Sequence, residues 1–94
     1  MDVGSVLKSG KKRYFPLFNI FTHDCDSAIV HFIAPKKQFK KAHQRNKVKR
    51  RLREAFHQVK LDKKLCIVVL AKNSILEAQF SDIVQQIKKF EAAL

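Results

Sequence analysis

Two stretches decide the architecture: AHQRNKVKRRLREAFHQV, Ala42 to Val59, and LCIVVLA, Leu65 to Ala71. In the first, Val48, Leu52, Ala55, Phe56 and Val59 recur at i, i+4, i+7, i+8 and i+11, the single apolar stripe of an amphipathic α-helix. The second is apolar throughout instead of alternating, which fits a strand covered on both faces and hence central in a sheet. A helix with one buried stripe beside a strand with two buried faces requires a sheet layer carrying helices.

Working outward, Phe15 to Thr22 is rich in β-formers and predicts a strand with Phe18, Ile20 and Thr22 on one face and Leu17, Asn19 and Phe21 on the other. Phe18 and Phe21 then point to opposite faces, so a two-layer fold would bury only one of them. A second β-rich run, Ala28 to Ala34, follows the polar patch His23 to Ser27, which reads as a hairpin loop. Pro35 removes a backbone donor and ends that strand. Asp2 to Lys8 predicts a short helix with Val3, Val6 and Leu7 inward, stopped by Ser9-Gly10. The early part of the chain has room for one further short strand. Phe80, Ile83, Val84, Ile87 and Phe90 mark a last helix, with Ser81-Asp82 near its start and Lys88-Lys89 near its end as the helix dipole prefers. The expected order is α-β-β-α-β-α in a single domain, residues 1–94, without repeats.

Twenty Lys and Arg against eight Asp and Glu give a net charge of +12, a self-repulsion that a polyanion partner relieves. Nucleic acid is the leading partner class and a membrane surface the second. A hydrophobic content of 46% with eight Phe argues for a folded chain and not a basic tail. No apolar run approaches the roughly 20 residues that span a bilayer, and no signal-type apolar segment opens the chain. The expected location is the cytoplasm. Cys25 and Cys66 are read as free thiols of a reducing compartment, with Cys66 in a buried strand.

Between Lys36 and Arg53 stand ten Lys or Arg in eighteen residues, with no carboxylate. Faces that merely contact water mix signs and gain from i to i+4 Glu-Lys pairs. With the apolar stripe inward, the far side of the helix presents Asn46, Arg50, Arg53 and His57, flanked by Lys47, Lys49 and Lys60. Arg supplies a planar fork for phosphate oxygens, Lys a mobile charge, and Asn46 a donor and acceptor for a base or ribose hydroxyl. The aromatics Tyr14, Phe15, Phe18, Phe21, Phe32 and Phe39 serve either as core or, in part, as a face on which unpaired bases stack. Nothing resembles a protein active site: there is no paired-carboxylate face, no helical His-Glu metal pattern and no Gly-rich phosphate loop. The closest approach to a metal pair, His23-x-Cys25, is not read as one. A helix-turn-helix reading for DNA fails because a strand and Pro35 precede the basic helix.

Lys36-Lys37 followed by Ala42-His43-Gln44-Arg45-Asn46-Lys47-Val48-Lys49-Arg50-Arg51-Leu52-Arg53-Glu54-Ala55-Phe56 resembles the signature of the bacterial ribonuclease P protein subunit. That signature is a Lys-Lys pair closing a strand, then Arg-Asn-Arg/Lys-x-Lys-Arg-x-x-Arg, a small residue and Phe. The resemblance runs from Asp2-x-x-x-Val6-x-Lys8-x-Gly10 through Ala71-Lys72 to the last helix. It implies an α+β fold, a two-layer α-β sandwich like the second domain of a small-subunit ribosomal protein, with a left-handed βαβ crossover. It further implies a catalytic RNA and the 5′ leader of precursor tRNA as partners, no obligate protein partner and no membrane. Mg2+ would be held mainly by the RNA subunit and substrate, and no catalytic residue would lie in this chain.

Carried onto this sequence, the resemblance makes Lys36, Lys37, Arg45, Asn46, Lys49, Arg50 and Arg53 RNA-binding residues and places Val3, Leu7, Phe18 and Phe21 in a leader-binding cleft. Val3 and Leu7 stand where many relatives carry aromatics, which weakens stacking at the first helix. The family's basic N-terminal arm is expected to be absent. The alternative is a non-enzymatic ribosomal or general RNA-binding protein on the same scaffold.

Overall fold

The structure, a computed structural model, describes residues 10–59 and 64–94; the helix expected over 2–8 lies outside them. The elements are β1 (Lys11–Tyr14), β2 (Phe18–Asp24), β3 (Ile29–Ile33), α1 (Ala42–Val59), β4 (Leu65–Ala71) and α2 (Phe80–Ala92), with a short 3-10 helix at Asn73–Glu77. They form a mixed α+β fold: one four-stranded sheet in the order β1-β2-β4-β3, with helices packed on it. β1 is the further short strand for which the sequence left room. Its presence moves the start of β2 from Phe15 to Phe18, the intervening turn being closed by the Phe15 N–H donating to Phe18 O at 2.9 Å.

β4 is interior, as its continuous apolar run requires. It pairs antiparallel with β2, Phe18 opposite Ala71 and Asp24 opposite Leu65, and parallel with β3, Ile29 opposite Cys66 and Ile33 opposite Leu70. This overturns the hairpin expected across His23 to Ser27. β2 and β3 run antiparallel but are not neighbours, because β4 lies between them. Their connection therefore spans two strand spacings, about 9–10 Å. The physical reason is edge satisfaction: a strand apolar on both faces is stable only with both edges paired, and it displaces the local pairing that the sequence favours.

α1 buries Val48, Leu52, Ala55, Phe56 and Val59, the whole predicted stripe. α2 buries Ile83, Ile87 and Phe90 and starts with a capping box, in which the Gln79 N–H donates to Asp82 Oδ2 at 3.3 Å. The cap is thus Gln79, two residues before Ser81, and Asp82 is its capping-box partner. Both helices meet Phe18, Ile20, Ile67, Val69 and Ala71 in the main core. Phe32 packs edge-on against Phe56, with ring centroids 5.5 Å apart.

The opposite sheet face has its own small cluster, Phe21, Cys66 and Val68, bordered by Cys25, Ile29, Ile33 and Leu70. Phe18 and Phe21 do lie on opposite faces, yet both are buried, against the expectation that only one could be. The free thiols are corrected as well: Cys25 and Cys66 form a disulfide, their Cα atoms 5.6 Å apart across a sequence separation of 41. Cys25 sits just past the end of β2, where its N–H donates to Lys64 O, and the β2–β4 register that brings it there is invisible in local sequence.

Closing a loop of this length restricts the unfolded chain, so reduction, or Cys25→Ser, is expected to cost about 2–4 kcal/mol. Urea melts with and without reductant measure this, and a midpoint unmoved by reductant refutes it.

Candidate nucleic-acid interface

α1 begins with the Lys41 carbonyl accepting from the N–H groups of Gln44 (3.1 Å) and Arg45 (3.3 Å). Its first turn contains no acid. The positive end of a helix dipole ordinarily attracts Asp or Glu. Here Lys40, Lys41 and Arg45 surround it instead, so the positive charge is left for an anion from outside the chain to balance. Along the helix, Asn46, Lys47, Arg50, Arg53 and His57 are exposed and Lys49 is half-buried at the margin. The cationic face read from the position of the apolar stripe is therefore the solvent face. Lys60, expected on its flank, lies outside the described residues.

The approach to the helix is built to hold its shape. The N–H groups of Gln38 and Phe39 both donate to Pro35 O, at 3.0 and 2.9 Å, folding residues 36–38 into a turn that presents exposed Lys36 and Lys37. Phe39 is a fully buried peg beneath that turn, which removes it from the candidates for base stacking. Arg45 Nη1 donates back to Phe39 O (2.9 Å) and Lys40 O (3.2 Å), clasping the helix to the loop. From the far side, Asn73 donates its N–H to Gln38 Oε1 (3.2 Å) and its Nδ2 to Gln38 O (2.9 Å). Sequence reading missed Gln38 and Asn73, and no local signal marks a contact made across 35 residues.

Not every cation faces outward. Arg51, inside the basic run, donates from Nη1 to Ile75 O (3.3 Å) and from Nη2 to Ala78 O (2.7 Å), tying α1 to the segment before α2. Lys72 Nζ donates to Phe15 O at 2.7 Å. Both spend their donors on the fold.

Of the four residues expected to line a leader cleft, Val3 and Leu7 lie outside the described residues. Phe18 has no exposed area and sits in the helix-side core, so it is withdrawn from any surface cleft. The strand alternation was right, but which face the helices would cover could not be read from it. Phe21 lies on the opposite face, 7% exposed, with Lys12 Nζ 6.0 Å from its ring centroid. It is thus not brought together with the α1 residues, which lie beyond the other side of the sheet. Among the described residues no group of three His, Cys, Asp or Glu is placed to hold a metal ion, and no helix is long and apolar enough to cross a membrane.

The geometry separates two kinds of arginine. Arg50→Ala and Arg53→Ala are expected to leave stability within about 0.5 kcal/mol while each lowers the slope of log affinity for RNA against log salt by about 1. Arg51→Ala should instead lower the melting temperature, through two lost hydrogen bonds worth about 1 kcal/mol each. Equal melting temperatures for all three variants would refute the assignment.

A sequence model of the family described as Ribonuclease P matches residues 2–94. Among solved structures, the ribonuclease P protein from Thermotoga maritima superposes with a TM-score of 0.85 at 22% identity, covering 99% of this chain and 91% of that one. The ribonuclease P protein from Staphylococcus aureus gives a TM-score of 0.76 at 23% identity, covering 92% and 82%. At these identities the likeness is one of fold. No curated protein matches the sequence. Because the family match takes in all but the first residue, and the fold agrees, the chain belongs to the ribonuclease P protein family.

Proposed function

We propose that this chain is the protein subunit of a ribonuclease P holoenzyme, binding a catalytic RNA and the 5′ leader of precursor tRNA and so assisting RNA-catalysed removal of the leader in the cytoplasm. The observation that carries the reading is the exposed cationic face of α1, on which Glu54 is the one carboxylate, continued by Lys36 and Lys37 on a turn fixed by Phe39, Arg45 and Asn73. Phosphate contacts account for most of the affinity of such a surface, and each one releases counterions. Arg50 and Arg53 supply bidentate forks, and Lys36, Lys37 and Lys49 supply point charges. Asn46, one turn before Arg50, offers its amide to a ribose hydroxyl or base edge. Arg45 serves chiefly by holding loop and helix in one orientation.

In this reading Mg2+ is held mainly by the RNA subunit and the substrate. Magnesium held there would supply an activated water and charge stabilisation at the scissile phosphate. The chain's part is to neutralise phosphate repulsion between two RNAs, which lowers the metal concentration they need to associate.

Mixed with a bacterial ribonuclease P RNA at low magnesium, the protein is expected to raise leader cleavage by about 5- to 150-fold, the range that a coupling of about 1–3 kcal/mol supplies. No stimulation would count decisively against the proposal. Stimulation together with equal affinity for precursors with and without a leader would remove the leader from it and leave general RNA binding.

A further inference from the structure

Cys25 and Cys66 are the only two cysteines of the chain, and they occupy unlike places. Cys66 lies inside β4, 2% exposed, packed with Phe21 and Val68 on the sheet face away from α1. Cys25 follows the last residue of β2 and is half-buried, between exposed Asp24 and Asp26. The β2–β4 ladder ends at Asp24 opposite Leu65. Beyond that point Cys25 is held by one backbone hydrogen bond, its N–H donating to Lys64 O at a long 3.4 Å. Residues 26–28, which follow, are exposed and belong to no strand or helix.

The ladder, and not the sulfur bond, brings the two cysteines together. His23 stands opposite Cys66, and alternation puts Cys25 on the same sheet face as His23. Their Cα atoms, 5.6 Å apart, are within the span a disulfide needs, so the bridge can open and close without moving the strands. Two thiols held in this way close quickly once one of them is activated. Access, however, is one-sided. A reagent arriving from water meets Cys25 at the loosely held end of a strand, whereas Cys66 lies within the Phe21–Val68 cluster with Ile29 opposite it on β3.

We propose that Cys25 is the exchanging sulfur of a reversible redox pair and Cys66 its resolving partner, the substrate being a small thiol or its disulfide. On oxidation the Cys25 thiolate attacks one sulfur of the small disulfide, forming a mixed disulfide and expelling a thiolate that takes up a proton. The Cys66 thiolate then attacks the Cys25 sulfur, closing the Cys25–Cys66 bond and expelling the second small thiol. Two protein thiols are oxidised, and one small disulfide is reduced to two thiols. Reduction runs the same steps backward, with a small thiolate attacking Cys25 and Cys66 leaving first. In the cytoplasm proposed above, bridges that form are usually transient and redox-sensing. The pair lies across the sheet from the cationic face of α1, so its state sets how firmly the start of β4 is tied to the end of β2 and leaves the phosphate contacts unchanged.

Intact-mass measurement on the full chain, reduced, exposed to oxidised glutathione and quenched with acid, reads the order of events. The wild-type chain should pass through an adduct of one glutathione and end two hydrogens lighter than it began. Cys66→Ala should keep that adduct, and Cys25→Ser should form one at Cys66 at least about tenfold more slowly. Equal rates at the two cysteines would overturn the assignment. A second measurement needs no variant: the rate at which glutathione reduces the oxidised wild-type chain should be flat in urea below the unfolding transition. A rate that climbs with the unfolded fraction would mean a bridge reached only by unfolding, and the pair would be a fixed staple. Neither measurement involves RNA, so failure here leaves the function proposed above standing.

Discussion

Leu65–Ala71 is apolar at every position, and such a strand can leave water only when both its faces are covered and both its edges are paired. Most of the architecture follows from that demand. β2 supplies one edge and β3 the other, and because β3 runs parallel to β4 the chain must cross over the sheet between them. α1 is the crossover. Its apolar stripe is drawn onto the sheet, and the residues that cannot enter the core, Asn46, Arg50, Arg53 and His57, are turned outward together. The cationic surface is thus a geometric by-product of burying a hydrophobic strand.

The positive residues divide their labour. Arg13, Arg45, Arg51 and Lys72 donate to backbone carbonyls: Arg13, Arg51 and Lys72 hold segments distant in sequence against one another, and Arg45 clasps α1 to the loop just before it. Lys36, Lys37, Arg50 and Arg53 stand in solvent. The first group lowers what the second must lose on binding, since a loop already ordered by Phe39, Arg45 and Asn73 gives up little further freedom when it meets RNA.

Elements with strong periodicity were legible. The bounds of α1 coincide with the reading, the burial of β4 follows from composition, and the opposed directions of Phe18 and Phe21 follow from alternation. β1 was not legible because all four of its residues are exposed, leaving no apolar alternation to detect. The placement of β4 between β2 and β3 was not legible because it is a tertiary choice, and the Cys25–Cys66 bridge is a consequence of that same choice. Within the interface, Arg50 and Arg51 read alike in sequence, yet one residue of helix turns the side chain by about 100°, which separates an exposed guanidinium from one that braces the segment before α2.

The strand order also constrains how the chain can assemble during synthesis. Only β1 and β2 can pair while the rest is unmade. β2 and β3 wait with open edges until Leu65–Ala71 emerges to fill the gap, a non-local closure that is intrinsically slow. By then residues 1–59 already carry fourteen of the twenty Lys and Arg. Mutual repulsion among nascent chains so highly charged opposes edge-to-edge association during that wait, so the charge that suits a polyanion also keeps the half-made sheet soluble.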